Sequence, residues 1–415
     1  MNLDLTREVP KIDWGPYLAN RTEQMKSSTI RELLKLTQQP DIISFAGGLP
    51  APEFFPLREV EEACRYVVQS EGTVALQYSP TEGYRPLREF LARTMHKYGI
   101  PAVPENVLLT SGSQQALDLI GKILINEGDY VITSRPTYLG AIQAWNSYGA
   151  RYHTVNLDDG GMVVDEIEHA YEKVLEDSKR PPKFIYVLPN FHNPAGTTLS
   201  LERRKKLVEV TGRLNLPIIE DDPYGQLRFE GEDIPPICTF APERTIYLST
   251  FSKTLTPGLR LGWIVCPEAL MRRIVMAKQG ADLHTGTFVQ YVANDICQRG
   301  FLRPHVERLR QVYRERRDIM LDAMEEFWPV EQCRWTHPLG GLFLWAQVPE
   351  VINTTDFLQK ALVEKVAYVP GSSFYPNADG GFDAMRLNFS FCPPEAIVEG
   401  TRRLGIALKK ELGMV

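Results

Sequence analysis

Paired cysteines are missing from this chain. The six it has, Cys64, Cys238, Cys266, Cys297, Cys333 and Cys392, are scattered over 415 residues with no C-x-x-C pair, which argues against both a thiolate zinc site and a disulfide framework. Reduced core thiols are expected. Long apolar runs are missing too: no stretch approaches the ~20 residues that span a bilayer. The opening MNLDLTREVPKIDW lacks the basic-then-apolar order of a secretion signal, so no membrane partner and a cytoplasmic location are expected. Positive charge is in deficit, with 46 Lys and Arg against 52 Asp and Glu for a formal charge of −6. Nucleic-acid binding needs a concentrated basic face, so small molecules or protein partners fit better. Internal repeats, low-complexity tracts and flexible linkers are also absent.

What is present is chain enough for two domains, since a single core stops growing at roughly 250–300 residues. From about 100 to 265, short apolar runs alternate with polar or Gly/Pro breaks and stretches of helical spacing, which predicts an α/β fold with a mainly parallel sheet. Candidate strands are VLLTS (107–111), YVITS (130–134), KFIYVLP (183–189), LPIIED (216–221), TIYLST (245–250) and LGWIVC (261–266). The first five end in polar residues, where open α/β sheets bind ligands. After about 300 the charged amphipathic run PHVERLRQVYRERRDIMLDAMEEF predicts a helix entering a second unit of mixed helix and strand, its arginines forming a solvated face. Near the start, SSTIRELLKL opens a helix, with Thr29 and Glu32 at capping-box spacing.

Five segments carry polar groups that make more sense together than apart. TSGSQ leads from a strand into a helix, placing backbone N–H groups and the hydroxyls of Ser111 and Ser113 where an anion binds; an ordinary turn is the alternative. Tyr138 in PTYLGA offers an aromatic face to a flat ligand, or simple packing. Asn193 sits in a turn set by Pro194 and Gly196. Asp221 and Tyr224 lie three apart in IIEDDPYG; the adjacent carboxylates have no His nearby to make a metal site, and no metal is expected. In STFSKTLTPGLRLGW, Lys253 is flanked by Thr250, Ser252 and Arg260. A strand-end lysine forms a Schiff base with an aldehyde while such neighbours hold that aldehyde's phosphate. Amine, hydroxyls, guanidinium, carboxylate, tyrosine and amide together match pyridoxal 5′-phosphate.

These residues fall in a recognisable order. ISFAGGLPAPEFFP, ALQYSPTEGYRPLREFL, TSGSQQALDL, NFHNPAGTTLS, EDDPYGQL, STFSKTLTPGLRLGW, AKQGADLHT and MRLNFSF cover residues 43 to 390. The chain resembles the fold-type-I, class I/II aminotransferases, most closely their α-aminoadipate and kynurenine aminotransferase branch. The resemblance implies an aspartate-aminotransferase-like α/β fold: an N-terminal arm and substrate-covering helix (1–45) packing with the small domain, a large cofactor-binding domain (46–300) and a small α+β C-terminal domain (301–415).

It also implies roles. Lys253 is similar to the lysine that carries the cofactor and shuttles the substrate Cα proton, Asp221 to the carboxylate that keeps the pyridine nitrogen protonated, and Asn193 and Tyr224 to the pair on the phenolic oxygen. Ser113, Gln114, Thr250, Ser252 and Arg260 match the phosphate cup, Thr250 standing where serine is commoner. Tyr138 matches the stacking aromatic, Arg386 the arginine on the substrate α-carboxylate, and Gly48 a glycine close to the substrate. Tyr78 matches a tyrosine that reaches the neighbouring subunit's phosphate, which implies a homodimer. FHNPAG departs from the commoner FQNPTG through His192 and Ala195, putting the local rim in question.

The substrates implied are an L-amino acid (2-aminoadipate, glutamate, aromatic or branched-chain) and a 2-oxo acid such as 2-oxoglutarate, exchanged by a ping-pong mechanism. In the aminoadipate branch the arginine of the SSTIRE helix recognises a side-chain carboxylate, so Ser28 and Arg31 are the residues expected to select it. Alternatives are another fold-type-I reaction, such as decarboxylation, lysis or oxidation, or an aminotransferase-like regulator. The roughly 40 residues before ISFAGG are few for the winged helix that such regulators carry.

Overall fold

The computed structural model describes residues 12–25 and 41–414. The helix expected over SSTIRELLKL, with Ser28, Thr29, Arg31 and Glu32, lies outside the described residues.

A two-residue strand, β1 (Ile43–Ser44), precedes a large sheet made of β2 (Val107–Thr110), β3 (Tyr130–Arg135), β4 (Arg151–Asp158), β5 (Gly161–Met162), β6 (Ile185–Val187), β7 (Ile218–Asp221), β8 (Thr245–Thr250) and β9 (Gly262–Val265). Their order is β2-β9-β8-β7-β6-β3-β4-β5. The central pairs β3·β4, β3·β6, β6·β7 and β7·β8 are parallel. β2 and β6 to β9 are buried along their whole length, as continuous apolar runs require when helices cover both faces.

All six candidate strands are present, with two differences. The last, β9, runs antiparallel between β2 and β8. The chain from Thr250 to Gly262 contains only the short 3-10 turn Pro257–Leu259, whereas a parallel return needs a crossover helix. β4 was not anticipated: RYHTVNLD is polar and only part-buried, so it lacks the apolar run that marks its neighbours.

A second sheet, β10 (Arg334–Trp335), β11 (Phe343–Gln347), β13 (Val369–Pro370) and β14 (Ala384–Asn388), is antiparallel in the order β10-β11-β14-β13. Helices Leu302–Phe327 and Pro394–Glu411 pack in the same core. β1 pairs in parallel with β12 (Val366–Ala367), and the fully buried Phe45 and Ala46 follow it into that core.

The arginines of Leu302–Phe327 do not form one solvated face. Arg303 is 89 % exposed, but Arg316 and Arg317 are buried. Arg316 donates to the Ser390 carbonyl at 2.6 Å and pairs with Glu53; Arg317 donates to the Pro338 carbonyl at 2.7 Å and pairs with Glu230. Their guanidinium groups also lie over the rings of Phe54 and Phe229, so aromatic faces and carbonyls replace water. Among the described residues no helix is long and apolar enough to cross a membrane.

Candidate active site

The parallel strands β6, β7 and β8 end side by side, and their next few residues project polar groups over the sheet edge. A cavity of about 400 Å³ opens there. Gly48, Ser113, Gln114, Tyr138, Asn193, Asp221, Tyr224, Thr250, Ser252, Lys253, Arg260 and Arg386 all line it. Pro223 and Pro257 also line it, and Leu49, Leu188 and Phe343, which sequence reasoning did not single out, complete the wall. Tyr78 is elsewhere, 77 % exposed and edge-on to His284 at 5.7 Å. Ser28 and Arg31 lie outside the described residues.

Lys253 follows β8, and its Nζ donates to the Gly48 carbonyl at 2.8 Å. Burial, then the positive charges of Arg386 and Arg260, lower its pKa to about 8, so a useful fraction of the amine is neutral near physiological pH. A Cβ at Gly48 would lie 3.1 Å from the Phe343 ring, so the chain runs tight against that wall.

Asp221 is the last residue of β7. Its Oδ2 accepts from the Tyr186 hydroxyl at 2.7 Å, whereas its buried Oδ1 has no partner. Burial pushes this carboxyl up to about 7, with the neighbouring Asp222 charge adding to the shift. Asp222 accepts instead from Asn190 at 3.0 Å, the Gly225 amide at 2.9 Å and the Tyr247 hydroxyl at 3.1 Å. The adjacent carboxylates therefore serve separate networks, and no group of three metal-binding side chains occurs among the described residues.

Asn193 ties two parts of the site together. Its Oδ1 accepts from Arg386 Nη1 at 3.0 Å and its Nδ2 is 3.5 Å from the Tyr224 hydroxyl. Arg386, from β14, donates through Nη2 to the Ala46 carbonyl at 2.7 Å and lies 4.3 Å above the Phe343 ring. Burial lowers its pKa to about 10, which leaves it charged. His192 is not on the rim: it is buried beneath this turn with its pKa lowered to about 3, and Ala195 is buried beside it. The Ser134 hydroxyl donates to the Pro136 carbonyl at 2.8 Å, so at 3.1 Å it accepts from Nε2–H of a neutral His192.

The other end of the cavity is built for an anion. Helix Ser113–Leu124 starts after Gly112 (φ +80°), where a Cβ would stand 2.5 Å from Arg260 Nη2. Only glycine lets the guanidinium approach this turn so closely. Arg260 is itself left-handed (φ 50°), closing the Pro257–Leu259 turn, and this reverses the chain toward the helix start. Thr250 Oγ1 is 2.9 Å from Ser252 Oγ. The Gln114 side chain donates to the Gly140 carbonyl at 2.9 Å, so its contribution here is its backbone N–H at the helix start. The Ser111 hydroxyl, expected at this anion site, turns away to Asp282 at 3.1 Å. Tyr138 adds a part-buried ring, its hydroxyl pushed up to about 12 by desolvation.

The set fits a phosphorylated pyridine aldehyde. The unpartnered Asp221 Oδ1 suits a protonated ring nitrogen, the Lys253 amine an aldehyde, and Arg260 with the glycine-opened helix start a phosphate.

A model of the family "Aminotransferase class I and II" matches residues 41–404. The chain is 44% identical over 407 residues to an aromatic-amino-acid aminotransferase 1 of Thermococcus litoralis, covering 98% of this chain and 97% of that one. It is 43% identical over 408 residues to a 2-aminoadipate transaminase of Thermus thermophilus, covering 97% and 99%. A crystal structure of Pyrococcus horikoshii kynurenine aminotransferase in complex with PMP, 42% identical, superposes with a TM-score of 0.92 over 96% of this chain and 98% of that one. The chain belongs to the class I and II aminotransferases and is a transaminase.

Proposed function

We propose that this cavity holds pyridoxal 5′-phosphate and moves the amino group of an L-amino acid to a 2-oxo acid by a ping-pong mechanism, with 2-oxoglutarate as acceptor. The observation that carries this reading is the meeting of the Lys253 amine and the unpartnered Asp221 Oδ1 on the wall of one cavity. When bound, the cofactor supplies an aldehyde that takes up the amino group and a ring that draws electrons from Cα.

The chain's own residues do the rest. Lys253 holds the aldehyde carbon at rest and, once released, moves the proton from substrate Cα, a task suited to a pKa near 8. Asp221, oriented by Tyr186, keeps the ring nitrogen protonated. Tyr224 and Asn193 donate to the phenolic oxygen, and Tyr138 covers the ring face. Arg260, the Ser113 and Gln114 amides and the hydroxyls of Ser113, Thr250 and Ser252 hold the phosphate. Arg386 grips the α-carboxylate, and Gly48 leaves room beside it.

Tyr78 is exposed in the single chain, and we assign it to the phosphate of a second copy in a homodimer. Ser28 and Arg31 are proposed to recognise the side-chain carboxylate of 2-aminoadipate or glutamate. Borohydride reduction of the cofactor-loaded protein, followed by peptide mapping, tests the core of this reading. It should leave the pyridoxyl group on Lys253; a label elsewhere, or none, would overturn it. A donor panel with 2-oxoglutarate tests the selectivity: Arg31→Ala should raise KM for the dicarboxylic acids far more than for leucine or phenylalanine.

A further inference from the structure

Beneath the phosphate end lies a buried charged network outside the cavity wall. Lys278, in helix Glu268–Asp282, is fully buried. Lysine is seldom buried completely unless its charge is matched. Its Nζ donates to Gln115 Oε1 at 2.7 Å and to both Asp282 carboxylate oxygens at 2.9 Å, so all three of its N–H bonds have partners. Gln115 Nε2 in turn donates to Asp282 Oδ2 at 2.7 Å.

Every polar group of Ser111 is tied to this network or to the guanidinium above it. Its N–H donates to Gln115 Oε1 at 2.8 Å, its hydroxyl to Asp282 Oδ2 at 3.1 Å, and its carbonyl accepts from Arg260 Nη2 at 3.4 Å. Ser111 directly precedes Gly112, the hinge whose positive φ aims the first N–H groups of the helix. The Lys278 charge is offset by Asp282, so the network fixes direction and adds little net field.

We infer that Lys278, acting through Gln115 and Asp282, is a positioning residue that locks the Ser111–Gly112 peptide and so pre-aims the Ser113 and Gln114 amides at the cofactor phosphate. This rests on the cofactor reading above. A preorganised cup binds without first ordering the turn, and that gain is specific to a ligand carrying the phosphate.

The test compares two ligands on cofactor-stripped protein by fluorescence titration: pyridoxal 5′-phosphate and pyridoxal, which lacks the phosphate. Lys278→Met should weaken the phosphorylated ligand by roughly tenfold or more while changing pyridoxal by less than about twofold. An unchanged ratio of the two affinities would overturn the inference, because a merely structural defect weakens both alike. If Lys278→Met does not fold, Gln115→Leu, which removes all three Gln115 links, reads the same ratio with the same two outcomes. A wild-type protein with no preference for the phosphorylated ligand would instead reject the cofactor reading and this inference with it.

Discussion

The Tyr186 hydroxyl and the Asp221 carboxylate share a 2.7 Å hydrogen bond that uses one carboxylate oxygen and leaves the other, buried and unpaired, for a ligand. The cost of that arrangement lies in the pKa of Asp221, which burial raises from 3.8 to about 7. A raised carboxyl pKa stabilises the fold only while the group is protonated: the benefit is complete below pH 3.8 and is lost as pH rises through about 7. Asp221→Asn, permanently neutral, should therefore raise the Tm of the cofactor-free protein more at pH 8 than at pH 4.5, while lowering transamination by ~10²-fold or more. Thermal melts at the two pH values check this; an equal or opposite shift would contradict it.

Lys253 should capture the cofactor at unusually low pH. Only the neutral amine attacks an aldehyde, and burial with Arg386 and Arg260 lowers its pKa to about 8. The rate of covalent capture by the stripped protein, followed by absorbance, should rise with a midpoint near pH 8. A midpoint near 10, that of an ordinary lysine, would remove the claim that the site activates it.

Arg386 to lysine should not be conservative. A lysine cannot span the Ala46 carbonyl, the Asn193 amide oxygen and a carboxylate with the fixed fork of a guanidinium. We expect kcat/KM to fall by ~10–100-fold for every amino donor, dicarboxylic or aromatic, because the α-carboxylate is common to all. A loss confined to one donor class would place Arg386 at the side chain instead.

The helix Leu302–Phe327 offers a stability test. Arg316→Ala strips the donor from the Ser390 carbonyl and the partner from Glu53, and should cost about 2–4 kcal/mol in urea unfolding. Arg303→Ala, at an 89 % exposed side chain, should change stability by less than about 0.5 kcal/mol. Similar values for the two would mean that the Arg316 contacts carry no weight.

Much of the site was legible because strand-end chemistry is local. Lys253, Asp221 and Asn193 each stand where a buried apolar run gives way to polar residues, and all three line the cavity at the sheet edge. What was illegible is set by distant contacts. Tyr186 reads as one more apolar strand residue until its partner 35 positions away is known. Arg316 looks solvated until Glu53, 263 positions away, packs beside it. Phe343 sits in an ordinary buried strand, and nothing local marks it as the ring beneath Arg386. β4 escaped because its polar alternation resembles a loop, and β9's direction followed from a connection whose length matters more than its composition.

The most direct measurement of the central claim is a half-reaction with no acceptor present. Cofactor-loaded protein is mixed with an excess of an amino acid, and the products are counted against Lys253 sites. The account predicts one equivalent of the matching 2-oxo acid per site, then a halt until a 2-oxo acid is added, and negligible product from Lys253→Ala on the same time scale. Continuous release of carbon dioxide or ammonia, or a Lys253→Ala variant that matches the wild type, would contradict it.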